Sequence, residues 1–271
     1  MNRITDSLLY FANDSWGEDR LFFGENFCGT IDGATTIDRI PVSGYTSQSE
    51  WLSEKMRSYL EGRVTISDFP CVCNDFIVSI KDSDVISRIA SRALFDIPSA
   101  TIAAVVESEE ALTGYVLGDC GILFRETDDT LHYLTDQRIN AFSKRTVKAK
   151  NRAESLSEDA EKAVRAQMIK NRRMLNTKNG FWAVAPIGSF AEEFRVFEIP
   201  LKKINRFIVF TDGLTQICDM CGLALETLIA LEKPSLEIEK CIENVKSGKT
   251  AVSSSYAKRI DDIGFIVVDP G

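Results

Sequence analysis

The sequence predicts an α+β protein in which two sheets pack against each other with helices on the outside. Blocks of short β-patterned runs alternate with pairs of helical runs, the sequence signature of layered sheets and helices. Four consecutive runs between Thr101 and Leu134 are joined by tight polar turns, which describes antiparallel strands. Two late runs, Phe207-Ile208-Val209-Phe210 and Phe265-Ile266-Val267-Val268, are apolar at every position, so both faces of these strands should be covered. No internal repeat and no Pro/Gly/Ser-rich linker interrupts the pattern, so residues 1–271 read as one domain.

Taken in order, Leu8–Ala12 and Leu21–Phe27 are β-leaning runs, and Ser47–Leu60 is a helix. In that helix Trp51, Leu52, Met56, Tyr59 and Leu60 recur at helical spacing, behind Ser47 or Ser49 as cap. A second helical stretch runs from Asp75 to about Leu94. Thr101–Val106, Ala111–Leu117, Ile122–Glu126 and Leu131–Leu134 then form an antiparallel meander. Arg138–Asn176 is charged and mostly helical, with a capping region around Ser155 and Ser157. Strands resume at Phe181–Val184 and Phe194–Ile199, and Asn205–Phe210 is a buried strand. Helices over Leu214–Leu231 and Ser235–Val245 precede a last strand, Ile263–Val268.

Composition narrows the function. The formal net charge is −8, and the densest basic region, Lys144–Arg173, is broken by Glu154, Glu158, Asp159 and Glu161. That argues against nucleic acid, whose phosphates demand clustered cations. No apolar run is long enough to span a membrane, and Met1–Asp6 does not read as a secretory signal, so the expected compartment is the cytoplasm. Seven cysteines imply no disulfide framework, and Cys71-Val-Cys73 with Cys218-Asp-Met-Cys221 make a poor zinc site. The single histidine, His132, falls in a strand-like run. Histidine-rich zinc chemistry is thereby excluded, and a Ser-His-Asp triad would rest on that one position.

Three acidic positions share one local grammar. Asp32-Gly33 and Asp212-Gly213 each follow an apolar β-like run, and Asp261-Asp262 opens another. A carboxylate at a strand end is held rigidly, and a following glycine allows close backbone approach or a sharp turn. Carboxylates without histidine form an oxygen-only donor set, suited to Mg²⁺, Mn²⁺ or Ca²⁺. No Asp-x-Asp-x-Asp-Gly loop is present, so the site is no EF-hand. Each Asp-Gly taken singly is also compatible with an ordinary turn.

The order of these motifs resembles the protein phosphatase 2C family. Gly17-Glu18-Asp19-Arg20 is similar to its opening Asn-Glu-Asp element, and Thr30-Ile31-Asp32-Gly33-Ala34 to its strand-Asp-Gly element. Pro98–Val106 resembles its Gly-Ser-Thr-Ala strand, and Tyr115–Cys120 its Val-Gly-Asp-Ser hairpin. Leu134-Thr135-Asp136-Gln137 is similar to Leu-Thr-x-Asp-His, one residue shorter. Phe207–Gly213 resembles Leu-Leu-Ser-Asp-Gly, and Asp261–Val268 the terminal Asp-Asn-Ile strand. The matches follow the family's order along nearly the whole chain.

The resemblance implies a four-layer α/β/β/α sandwich with a two-metal Mn²⁺ or Mg²⁺ centre at one end. It implies that Asp32 bridges the ions and that the Gly33 carbonyl completes one shell. Asp19, with Glu18 nearby, Asp212 and Asp261 would supply the remaining ligands. Asp136 would match a weaker third-metal ligand, and Asp119 a structural or outlying position. It further implies hydrolysis of phosphoserine or phosphothreonine in proteins by a metal-activated water, with a cognate kinase as a possible partner.

The chain departs from the family at two places. An Arg that many relatives carry shortly before the Glu-Asp pair has no counterpart in Phe11–Trp16. After Asp32-Gly33 stands Ala34-Thr35-Thr36, where many relatives carry a histidine and glycines. These departures keep open a second reading, a catalytically weak pseudophosphatase acting as a regulatory binding module. A haloacid-dehalogenase reading needs Asp-x-Asp-Gly-Thr. Thr30 and Phe210 stand where the nucleophilic Asp would be, which argues against it.

Overall fold

The computed structural model describes residues 3–13, 15–34, 36–91, 93–249 and 260–270. Asp14, Thr35, Arg259 and the Met1-Asn2 start lie outside the described residues. Two five-stranded antiparallel sheets stack face to face. The first has the order β1 (Ile4–Tyr10), β10 (Ile263–Val268), β9 (Ile204–Phe210), β6 (Gly121–Glu126), β7 (Leu131–Thr135). The second runs β2 (Arg20–Phe23), β3 (Phe27–Gly33), β4 (Ala100–Glu107), β5 (Ala111–Leu117), β8 (Arg195–Pro200).

Helices α1 (Gln48–Glu61), α2 (Phe69–Ile80) and α3 (Asp84–Ala90) follow β3, and α4 (Asn140–Ser155) and α5 (Ala160–Arg172) follow β7. Helices α6 (Asp212–Cys221), α7 (Leu225–Leu228) and α8 (Pro234–Lys246) lie between β9 and β10. Among the described residues no helix is long and apolar enough to cross a membrane.

The continuous apolar strands are explained by burial on both faces. Phe207 and Val209 of β9 face the layer between the sheets, beside Ala103, Val105, Ile122, Phe124 and Ile266. Their alternates, Ile208 and Phe210, turn outward with Phe265 and Val267 against Leu214, Ile217, Ile238 and Val245 of α6 and α8. On the other flank Ile31, Ile102 and Val106 meet Leu52 and Met56 of α1 and Phe76 of α2. Each fully buried apolar side chain of this size contributes about 1.5–3 kcal/mol. The four expected layers are therefore present.

Several element boundaries differ from expectation. The expected four-strand meander is two hairpins: β4 and β5 pair in the second sheet, β6 and β7 in the first. The chain changes sheets at Gly118, whose φ of +87° only glycine adopts without strain. Leu21–Phe27 is likewise split between β2 and β3, which pair with each other. The helical stretch expected over Asp75–Leu94 starts earlier, behind the Asp68 cap of α2, and breaks before α3, which Ser83 caps. Ser47 caps α1 as expected, its side chain accepting from the Glu50 N–H at 3.0 Å. Asp159, rather than Ser155 or Ser157, caps α5.

Phe181–Val184 makes only isolated bridges, Ala100 with Val184 and Leu175 with Phe181. The helix expected over Leu214–Leu231 ends at Gly222, in left-handed conformation with φ +67°. Cys71 and Cys73 sit on α2 and Cys218 and Cys221 on α6, in opposite outer layers, so the two pairs form no common site. All seven cysteines are free.

Candidate metal centre

Strand register gathers the acidic residues at one end of the sandwich. In the second sheet Gly33 pairs with Ala100 and Ile102 with Leu117, so the end of β3, the start of β4 and the end of β5 lie together. In the first sheet Phe210 pairs with both Gly121 and Phe265. Asp32 therefore leaves β3, Asp119 sits at the β5–β6 crossover, Asp212 opens α6 directly after β9, and Asp261 precedes β10. Asp19 immediately precedes β2, whose Arg20 pairs with Ile31. Both sheets thus deliver carboxylates to one rim.

Carboxylate oxygens of Asp32, Asp119 and Asp212 lie within 4.8 Å of one another. They line a cavity of about 550 Å³ together with Glu18, Asp19, Asp261 and Asp262. Burial, and then the charges of Asp19, Asp212, Asp119 and Asp261, hold the Asp32 carboxyl well above its usual range. Burial first, then Asp262, Asp261 and Asp212, does the same to Asp19. Burial also raises Asp119, with Asp261 and Asp136 adding to the effect. Mutual repulsion of this kind is relieved by a cation among the carboxylates.

The residues present fit a hard divalent ion. Oδ2 of Asp19 is buried with no hydrogen-bond partner, a costly arrangement for a carboxylate oxygen. The donors are oxygens, as Mg²⁺ and Mn²⁺ require. The adjacent Cys120 is fully buried with its Sγ 3.4 Å from Thr101 Oγ1, and it does not line the cavity.

The surrounding backbone explains why these residues converge. Asp262 clips the N-terminal loop to the site: its Oδ1 accepts from the Ala12 N–H at 2.9 Å and its Oδ2 from the Glu18 N–H at 2.7 Å. Gly33 N–H donates to the Glu18 carbonyl at 3.2 Å, and a Cβ there would come within 2.7 Å of that same oxygen. Gly213 is under a stronger constraint, since a Cβ would lie 1.8 Å from the Asp262 carbonyl oxygen. The glycine lets the first turn of α6 approach the 261–262 turn, whose Asp261 N–H donates to Gln216 at 2.8 Å. The Glu18 side chain accepts from Ser47, the cap of α1, at 2.5 Å.

Expected site residues are thus placed as follows. Asp32, Gly33, Asp212, Asp19, Asp261 and Glu18 all line the cavity. Asp136 is outside the three-carboxylate group and the cavity lining, though its N–H donates to the Gly118 carbonyl at 3.2 Å; it is buried, with both oxygens accepting from Arg138 Nε at 2.9 Å. The residue that joins Asp32 and Asp212 is Asp119, expected from the sequence at a structural or outlying position. The Gly118-Asp119 turn, at the end of an apolar run, carried the same signal as the other Asp-Gly positions, in reversed order.

Arg20 does not serve the cavity. Its guanidinium binds Glu54 at 2.8 Å and the carbonyls of Gly17 and Asp19 at 2.9 and 2.7 Å, tying the Glu18-Asp19 loop to α1. Arg39 and Trp16, neither of them an expected site residue, line the cavity. His132 lies in β7, bonded to Glu126 at 2.7 Å.

A profile described as Protein phosphatase 2C matches residues 24–228. The chain belongs to the protein phosphatase 2C family. Glu18, Asp19 and Asp261 fall outside the matched span. A search of curated proteins finds no match. The fold is similar to the serine/threonine phosphatase Stp1 from Staphylococcus aureus, at 12% identity and TM-score 0.55, covering 97% of this chain and 93% of that one. It is also similar to the Mycobacterium tuberculosis serine/threonine phosphatase PstP/Ppp, at 12% identity and TM-score 0.56, covering 97% and 96%. A structure of the PstP catalytic domain in complex with two manganese ions matches at 11% identity and TM-score 0.52, covering 97% and 96%.

Proposed function

We propose that this protein is a metal-dependent phosphomonoester hydrolase acting on phosphoserine or phosphothreonine in proteins, with Mn²⁺ or Mg²⁺ held by the carboxylate rim. The observation that carries the reading is the approach of Asp32, Asp119 and Asp212 within 4.8 Å, inside a cavity ringed by further carboxylates. Family membership supports phosphatase chemistry. The manganese-bound PstP domain supports the choice of ion.

Asp32 and Asp212 would be the central ligands, with Asp119, Asp19, Asp261 and the Gly33 carbonyl around them and Glu18 nearby. When bound, the ions supply an activated water and charge neutralisation at the phosphoryl oxygens. The chain's own residues hold the carboxylates in fixed positions at strand ends, which avoids reorganisation during reaction. Asp262 and Arg20 keep the Glu18-Asp19 loop against the rim. Asp136 would act through Arg138 on the nearby chain rather than as a ligand. A protein kinase would supply the phosphorylated substrate.

A second reading is favoured by one feature: among the described residues no histidine lines the cavity. A histidine general acid for poor leaving groups is therefore missing from the rim, and a regulatory module that binds metal and phosphoprotein without turnover would need none. The test is phosphate release from a phosphothreonine peptide in EDTA, Mg²⁺ and Mn²⁺. Release that requires the metal supports the hydrolase. Metal binding with no release on peptide or aryl phosphate supports the regulatory module.

A further inference from the structure

We propose that Arg39, laid against Trp16, is the group that grips the substrate phosphate in this chain, a proposal that rests on the phosphatase reading of the carboxylate rim. The cavity is lined by seven carboxylates, and Arg39 is the single cationic side chain among its described lining residues. A phosphomonoester dianion approaching that rim meets repulsion from any carboxylate charge the ions leave unbalanced. A guanidinium offers it paired N–H donors in a planar fork.

The other arginines near the site are already engaged. Arg20 is bonded to Glu54 and to the Gly17 and Asp19 carbonyls. Arg138 is bonded to Asp136 and Glu193. Arg172 donates to Ser99 Oγ and to the Ala34 carbonyl, bracing the loop after Gly33. Arg165 is paired with Asp38, the residue beside Arg39, through two contacts of 2.8 Å. No carboxylate of the described residues pairs with Arg39.

The backbone on either side of Arg39 is fixed. The Asp38 N–H donates to Asp96 at 3.0 Å, and the Ile40 N–H donates to the buried Gln48 side chain at 2.8 Å. Gln48 in turn donates to the Asp38 carbonyl at 2.8 Å. From that fixed point the side chain crosses to Trp16, its guanidinium carbon 4.1 Å from the ring centroid. Cation–π attraction holds the guanidinium over the ring, and among the described residues no acceptor takes its N–H donors. Trp16 belongs to the loop that Asp262 clips to the rim, so platform and ligands share one anchor.

The test titrates inorganic phosphate into Mg²⁺-loaded wild type, Arg39→Ala, Arg39→Lys and Trp16→Ala by calorimetry, and follows p-nitrophenyl phosphate kinetics on each. Wild type is expected to bind phosphate, and Arg39→Ala to bind it about tenfold to a hundredfold more weakly, as for a lost hydrogen bond to a charged group. Arg39→Lys should fall between them and Trp16→Ala should lose a few-fold, all with unchanged Mg²⁺ affinity. The kinetic counterpart is a raised KM with a smaller change in kcat. Equal phosphate affinity in wild type and Arg39→Ala, or no phosphate binding by the Mg²⁺-loaded wild type, overturns the proposal. Arg39-dependent phosphate binding without turnover by the wild type would instead remove the hydrolase reading and leave the grip intact.

Discussion

Replacing Asp32 by Asn should stabilise the metal-free protein and abolish its response to divalent ions. Oxygens of Asp32, Asp119 and Asp212 lie within 4.8 Å, so each ionised pair repels by at least about 3.5 kcal/mol at an effective dielectric of about 20. The fold avoids part of that cost by keeping protons on the group, which is why burial and neighbouring charge raise Asp32, Asp19 and Asp119. A carboxyl raised in the folded state binds more protons there than in the unfolded chain. Its contribution to stability is full below the unfolded value of 3.8 and is lost as pH rises through the folded value.

The metal-free wild type should therefore weaken from about pH 4 upward through the raised folded range. Asp32→Asn should flatten that decline and raise the neutral-pH stability by about 2 kcal/mol, or roughly 4–8 °C in Tm. Addition of Mn²⁺ at about a hundredfold over Kd should stabilise wild type by about 2.7 kcal/mol and leave the variant unmoved. Differential scanning calorimetry between pH 4 and 8, with EDTA or Mn²⁺, reads all of this. A variant that is less stable than wild type in EDTA, yet still rises with Mn²⁺, would refute the electrostatic reasoning.

Other outcomes follow from the same geometry. Arg138→Ala strips the bonded guanidinium from a carboxylate that is only 1% exposed, Asp136, leaving Arg195 Nε at 3.9 Å, and should cost about 1.5–3 kcal/mol in urea unfolding. Arg138→Lys should recover only part of it, because the bidentate fork is lost. Gly213→Ala puts a Cβ 1.8 Å from the Asp262 carbonyl and should displace the 261–262 turn. Mn²⁺ affinity measured by calorimetry should then fall at least about tenfold, and an unchanged affinity would count against Asp261 as a ligand. A thiol reagent at pH 8 should modify exposed Cys71 and, more slowly, Cys221 in the native protein. Burial pushes the Cys28 and Cys218 thiols up to about 12, so these should react only on unfolding.

The layers were legible because hydrophobic pattern reports burial directly. Phe207–Phe210 and Phe265–Val268 have no polar alternate, and both strands are covered on two faces. Strand-end carboxylates were legible for a related reason: an Asp-Gly after an apolar run marks a fixed side chain next to a permissive backbone. Sheet membership was not legible. Alternation along β5 and β6 does not say which neighbour each strand finds, and the chain changes sheets at Gly118, whose positive φ leaves no mark in the hydrophobic pattern. The role of Asp119 is hidden for that reason, since its place beside Asp32 and Asp212 exists only once the chain crosses there. Arg39 carries no sequence signal because it lies in an irregular loop without periodicity, and its neighbours are fixed by Gln48 and by the more distant Asp96.

Crystals soaked in Mn²⁺ and measured at the manganese absorption edge address the metal centre without recourse to turnover. Anomalous density is expected at the carboxylate rim, within bonding distance of Asp32 and Asp212 oxygens at about 2.0–2.2 Å, as for hard divalent ions of this size, and absent from crystals of Asp32→Asn. Density elsewhere on the surface, or a rim without density at saturating Mn²⁺, would contradict the assignment of these carboxylates as the metal site.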